Sequence, residues 1–316
     1  MPLDPQVQKV LDIMAAAGGK PIGEASVAEA RAAAWGWLEF AGSGEPVAKV
    51  ENRFIPGPTA DLPVRIYTPA GKWPLPAIVA FHGSGWVISN IDHCDATHRE
   101  LCNRSGCVVV AVNYQKAPEH KFPTPLNDCY AAVQWVVANA AALGIDPAKV
   151  GVGGDSAGGN LATAVCIRAR DEGGPKIAFQ MLVYPAVDCR FDTPSMRENA
   201  EGYLLTTDAV KWFWGQYLAK PEDAANPLAS PLRCADLSRL PPAIVVTAEF
   251  DPLRDEGELY ADRLAAAGVP TIKRRYDGMV HAFYWMGGHV DGCHRLIADL
   301  GRDIQGLLET RRASTH

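Results

Sequence analysis

The chain opens with helical periodicity: Val7, Val10, Leu11 and Met14 recur at the three- and four-residue spacing that shares one helix face. Residues 1–45 read as helical throughout, with Ala-rich runs and the aromatics Trp35, Trp37 and Phe40. Then the texture changes. Val50–Phe54 and Val64–Tyr67 alternate as strands do, on either side of the turn signal Pro56-Gly57-Pro58. Further strands are predicted at Ala77–Phe81, Cys107–Val112, Val150–Gly153, Ile177–Tyr184, Ala243–Thr247 and Thr271–Tyr276. Helices are predicted between and after them, at Ala96–Arg104, Asn127–Leu143, Leu161–Arg170, Glu256–Ala267 and Arg295–Leu308. Short apolar strands interleaved with helices indicate an α/β fold, with a mostly parallel sheet covered on both faces. One segment breaks the rhythm. Residues 189–238 show no strand pattern and hold Tyr203, Leu204, Leu205, Trp212, Phe213, Trp214 and Tyr217, which reads as a helical insertion. The expected organisation is a helical N-terminal segment (1–45), a core (46–188 and 239–316) and the insertion (189–238). The insertion's aromatics are either plain packing or the wall of a substrate pocket, and Tyr203 and Trp214, with Trp86, are the pocket candidates.

The motif that carries chemistry is Gly154-Asp155-Ser156-Ala157-Gly158, a G-x-S-x-G placed between a strand and a helix. A turn that tight leaves no room for Cβ atoms two residues to either side of the serine. It pushes Ser156 Oγ out above the sheet and leaves the Ala157 amide free to donate to an oxyanion. The rival dinucleotide reading, Gly151-Val152-Gly153-Gly154-Asp155-Ser156, fails the last glycine of GxGxxG and lacks the acid at the end of the next strand. No GK[ST] for a P-loop is present. Upstream, His82-Gly83-Ser84-Gly85-Trp86 follows the strand Ala77–Phe81. This fold places oxyanion donors in such a glycine loop, each worth on the order of 3 kcal/mol in the transition state. The amides of Ser84 and Gly85 are expected to join that of Ala157. His82 reads as ordering its loop, and Asp155 as a structural hydrogen-bonder.

A serine nucleophile needs a base, and the base an orienting acid, in the chain order Ser, Asp or Glu, His. His281 lies just past the last predicted strand, whereas His289 and His294 fall near or within the final helix and His316 is the last residue. The acid should follow the strand Ala243–Thr247. Asp251 is preferred because Pro252 ends the strand and fixes a turn, with Glu249 as the alternative.

Composition narrows the classes. The formal net charge of −6 over 316 residues argues against nucleic-acid binding. No apolar run reaches the roughly 18–20 residues of a transmembrane helix, and the N-terminus lacks signal-peptide character, so a cytoplasmic enzyme without stable membrane anchoring is expected. The eight cysteines show no CxxC pair and sit largely in apolar runs, reading as buried thiols rather than as ligands of a metal site.

Taken together, His82–Trp86, Ala117-Pro118-Glu119-His120, Gly154–Asn160, Asp251–Gly257 and Gly278–Phe283 resemble the bacterial hormone-sensitive-lipase-like esterases of the α/β-hydrolase superfamily, in that family's order along the chain. The resemblance implies a Ser156–His281–Asp251 triad and oxyanion donors from Ser84, Gly85 and Ala157. It also implies a helical cap from 1–45 and 189–238, no cofactor, activity on small acyl esters and, in many members, a homodimer. Two motifs depart from the family's pattern. Its HGGG loop carries Ser84 here, a change that strains the backbone if the position needs φ above zero and that offers a hydroxyl to the alcohol side of a substrate. Its frequent Tyr-Arg-Leu-Ala-Pro-Glu-His reads Tyr114-Gln115-Lys116-Ala117-Pro118-Glu119-His120, so the ion pair of the missing arginine is weakened. An amidase, lactonase or formamidase on the same triad, or a small-molecule receptor on a hydrolase scaffold, remains open at this level.

Overall fold

A computed structural model describes residues 2–313. Its centre is one eight-stranded sheet: β1 (Lys49–Ile55), β2 (Leu62–Thr68), β3 (Leu75–Phe81), β4 (Val108–Val112), β5 (Ile145–Asp155), β6 (Gln180–Val183), β7 (Ala243–Phe250) and β8 (Thr271–Val280). The order across the sheet is β1-β2-β4-β3-β5-β6-β7-β8. Only β2 runs antiparallel to its neighbours β1 and β4; the remaining pairs are parallel. The continuous apolar runs follow from burial on both faces. Ala77, Val79 and Phe81 of β3 point into one core while Ile78 and Ala80 point into the other.

The first core is closed by α5 (Thr124–Ala138), α7 (Ala157–Asp171) and α10 (Arg254–Ala266), which contribute Leu126, Leu161, Val165, Tyr260 and Leu264. The second is closed by α1 (Pro5–Ala17), α4 (Asp95–Ser105) and α11 (Asp291–Ala313), through Val7, Val10, Leu101, Leu296 and Ile297. Asp4 caps α1, accepting from the Gln6 amide at 2.8 Å. The rest of the N-terminal segment forms α2 (Val27–Ala34), which starts from a reciprocal Ser26–Glu29 capping box, and the short α3 (Leu38–Ala41).

Two elements differ from the sequence reading. The single helix expected over 127–143 is broken at Asn139, whose side chain folds back on the Trp135 carbonyl (2.8 Å), leaving a separate turn α6 (Ala140–Leu143). α7 starts four residues earlier than expected, at Ala157. Its glycine-rich first turn has poor helix propensity and is held by packing against the sheet. The insertion holds α8 (Pro194–Glu198) and α9 (Thr207–Tyr217) and no strand. α9 packs against the N-terminal turn Ile22–Glu24, so the two helical segments meet at the carboxyl ends of the parallel strands. Among the described residues no helix is long and apolar enough to cross a membrane.

Candidate active site

The end of β5 turns into α7 through Ser156 at φ 54° and ψ −119°, a conformation that non-glycine residues rarely adopt. Its surroundings over-determine it. The Ser156 amide donates to Val183 O (2.9 Å), and its carbonyl accepts from the amides of Asn160 (3.0 Å) and Ala186 (3.2 Å). The flanking glycines are steric necessities. A Cβ on Gly154 would stand 2.5 Å from Phe81 O, and one on Gly158 1.9 Å from the same atom.

His281 follows β8 directly, and Asp251 follows β7. His281 Nδ1 lies 2.7 Å from Asp251 Oδ2, and Nε2 lies 2.9 Å from Ser156 Oγ. Because a carboxylate only accepts, Nδ1 carries the proton, and the Nε2 lone pair faces the serine hydroxyl. The other Asp251 oxygen accepts from the Leu253 amide at 2.8 Å, which fixes the carboxylate plane. Glu249, the alternative acid, faces elsewhere and accepts from the Gly278 amide (2.7 Å). His294 is bonded to Glu100 (2.7 Å) and His289 packs on Phe40, both away from Ser156. His316 lies outside the described residues.

The glycine loop after β3 faces the same point. The Gly83 amide is committed to Asp155 Oδ1 at 2.8 Å, whereas those of Ser84, Gly85 and Ala157 have no protein acceptor among the described residues. All three residues line one pocket with Ser156 and His281. Ser84 does sit at positive φ, 157°, at the edge of the extended region. Its hydroxyl is not directed at a substrate: Tyr114 Oη donates to His82 O (2.8 Å), and Ser84 Oγ bonds that same phenol at 3.2 Å. His82 stays within its loop, stacked on Tyr114 with centroids 4.5 Å apart and bonded to Gly83 O. Burial pushes its imidazole well below the usual range, so it is neutral.

Asp155 is buried beside Ser156, and burial pushes its carboxyl up to about 7, against the Gly83 amide and His281, which pull it down. The folded chain therefore keeps a proton that an unfolded aspartate sheds near pH ~4. The sign follows: stability from this group falls as pH rises from about 4 to about 7 and is level above. Asp155→Asn keeps an acceptor for Gly83 and removes the titration. In urea melts from pH 5 upward, the unfolding free energy of the variant should gain on the wild type until about pH 7 and then run parallel. A constant difference across that range would refute the assignment.

The pocket above Ser156 encloses about 110 Å³ and is mostly apolar. Trp86 and Trp214 line it, in contact with each other at 4.7 Å between centroids. Tyr203 does not. Its ring stacks on Phe250 at 4.7 Å, and the adjacent Leu204 and Leu205 line the pocket instead. The backbone reverses there, with Leu204 at φ 73°, so neighbouring side chains diverge. Sequence reasoning missed Ile22, Val210 and Phe213. A signal existed for two of these: Val210, Phe213 and Trp214 are three and four residues apart and share one face of α9. Glu119 has an ion pair of its own, to a residue outside its segment. The partner is Arg31 of α2, whose two terminal nitrogens each lie 2.7 Å from a Glu119 oxygen. Gln115, in place of the family's arginine, holds the buried Asp128 through its amide (2.9 Å) and its side chain (3.2 Å).

Comparisons with known proteins identify the family. A family model described as alpha/beta hydrolase fold matches residues 78–285. The chain is 41% identical to an arylesterase of Saccharolobus solfataricus, over 90% of this chain and 92% of that protein. It is 37% identical to an ethyl acetate hydrolase of Pseudomonas putida, over 73% and 74% respectively. The solved structure of a hyperthermophilic esterase from Pyrobaculum calidifontis superposes with a TM-score of 0.91 at 40% identity, covering 98% of this chain and 99% of that one. On the matched family model, the relatives and the shared fold, this chain belongs to the hormone-sensitive-lipase-like family of α/β-hydrolases.

Proposed function

We propose that this protein is a serine carboxylesterase acting on short-chain acyl esters in the cytoplasm. One observation carries the reading: an unbroken Ser156–His281–Asp251 hydrogen-bond chain opens into an apolar pocket beside three amides that have no protein acceptor among the described residues. Ser156 Oγ attacks the ester carbonyl as His281 Nε2 takes its proton, and Asp251 stabilises the imidazolium that forms. The amides of Ser84, Gly85 and Ala157 receive the oxyanion. His281 returns the proton to the departing alkoxide, the alcohol leaves, and an acyl-Ser156 ester remains. Water, deprotonated by the same nitrogen, then releases the acid. The two helical segments act as the cap, since Ile22 and Trp37 from one and Leu205, Phe213 and Trp214 from the other close the pocket.

The size of the pocket supports the substrate class. Its 110 Å³ is well under the roughly 300 Å³ at which drug-sized sites begin, and leaves room for a short acyl chain. The relatives named for ethyl acetate and aryl ester hydrolysis point the same way. A cytoplasmic location agrees with eight free cysteines, seven of them buried. The test is turnover of p-nitrophenyl esters from acetate to palmitate, beside the matching anilides. The expected result is a kcat/KM maximum at the short esters with anilides far slower. A maximum at the long chains would overturn the pocket argument, and anilide turnover equal to the esters would favour an amidase.

A further inference from the structure

The catalytic reading leaves Tyr114–His120 without a role, although the segment is among the chain's most recognisable. The structure folds it into the wall of a second cavity of about 470 Å³, larger than the pocket over Ser156. Arg31, Trp35, His93, Lys116 and Glu119 are among its lining residues.

Its charges do not cancel. Arg31 and Glu119 neutralise each other through two 2.7 Å contacts. His93 Nε2 donates to Ala34 O (3.1 Å), and burial lowers its pKa, so it adds no charge near neutrality. That leaves Lys116, which stands where the family's pattern has a leucine. Its ammonium donates to Asn113 Oδ1 (2.8 Å) and Tyr114 O (3.3 Å), both uncharged oxygens. Those bonds use two of its three protons, and no carboxylate among the described residues pairs with it. Burial, reinforced by Arg31, pushes it down to about 8 against Glu119 and Asp128, which pull it up without touching it, and most molecules stay charged at neutral pH. A half-buried cation that no carboxylate touches directly, lining an open cavity, offers an anion a contact.

The cavity also has an aromatic face. Trp35 is 49% exposed, one of the largest apolar side chains left in water, and its ring lies against His93 at 4.8 Å between centroids. The volume falls within the range of small-molecule sites and exceeds what an inorganic ion needs. We propose that this cavity binds an aromatic carboxylate, with the anion on Lys116 Nζ and the ring against Trp35. Ser89, whose buried hydroxyl has no partner among the described residues, lines both this cavity and the pocket over Ser156, so the two sites share a wall.

Calorimetric titration of the whole chain with benzoate, acetate and phosphate, each against chloride at equal ionic strength, tests the proposal. Benzoate should bind saturably, and more tightly than acetate or phosphate. Lys116→Leu should weaken benzoate about tenfold or more, while Lys116→Arg, which keeps the charge, should stay within about threefold. Trp35→Ala should weaken benzoate and leave acetate unchanged. Circular dichroism melts establish that each variant is folded. Equal benzoate affinity in folded Lys116→Leu and wild type would place the ligand in the catalytic pocket and overturn the proposal. So would tighter binding of phosphate than of benzoate, or no saturable binding by any of the three.

Discussion

Replacing Ser156 with alanine is expected to lower kcat by about 10⁶-fold on any ester the wild type hydrolyses. The magnitude follows from the geometry. Ser156 Oγ is the hydroxyl that faces His281 Nε2, at 2.9 Å. Without it no acyl-enzyme forms, and what remains is binding and oxyanion stabilisation applied to a direct attack by water. The Ser84, Gly85 and Ala157 amides are backbone groups untouched by the substitution, so some acceleration over free water should persist, on the order of 10³-fold. KM should change little, since the apolar lining is the same. The fold should hold as well: the amide and carbonyl bonds that fix residue 156 are main-chain, and the change in stability should stay within about 1 kcal/mol. Steady-state kinetics on p-nitrophenyl acetate with a parallel thermal melt reads both quantities. A Ser156→Ala protein retaining a hundredth of wild-type kcat would mean that another nucleophile operates.

Gly158→Ala is the substitution expected to cost the most stability for a single methyl group. The added Cβ would stand 1.9 Å from Phe81 O and 2.6 Å from Phe81 C. Both are backbone atoms of β3, which is paired with β4 on one side and β5 on the other and cannot yield without breaking the sheet. Overpacking against mobile side chains costs about 1–3 kcal/mol. Against a fixed central strand the cost should reach about 3 kcal/mol or more, a large fraction of a total near 5–15 kcal/mol. Activity should fall as well, because any relief moves either the turn that carries Ser156 or the loop that carries Ser84 and Gly85. Gly306→Ala is the natural control. It lies in α11 with nothing within 4 Å of its Cβ position, so the same change should stabilise by about 0.5–1 kcal/mol through helix propensity. Chemical denaturation of the two variants beside wild type should therefore give opposite signs. A Gly158→Ala protein as stable and active as wild type would show that the elbow is looser than its distances imply.

The sheet and the chain order of the candidate residues Ser156, Asp251 and His281 were legible along the chain for one physical reason: both rest on local pattern. Strands buried on two faces must be apolar throughout, which is what Val108–Val112 and Ala243–Val246 display. A nucleophile turn with φ of 54° needs glycines at fixed offsets, and Gly154 and Gly158 supply them. The chain order Ser, Asp, His then left few candidates, and the geometry joins Ser156 to His281 and Asp251.

Other features depended on which surfaces meet. Nothing local distinguishes Tyr203, which packs away on Phe250, from Leu204 and Leu205, which face the pocket, because one residue at positive φ turns the chain between them. Spacing could not supply Arg31 as the partner of Glu119, since the pair spans 88 positions. The same holds for Ser84, whose hydroxyl is taken by Tyr114, thirty residues on. The sequence by itself determined the fold class, the nucleophile turn and the short list of catalytic partners, because backbone conformation and burial impose their own residue patterns. Only the tertiary structure decided the shape of the pocket, the partner of each loop charge and the cavity around Lys116, because those depend on contacts between segments that no periodicity links.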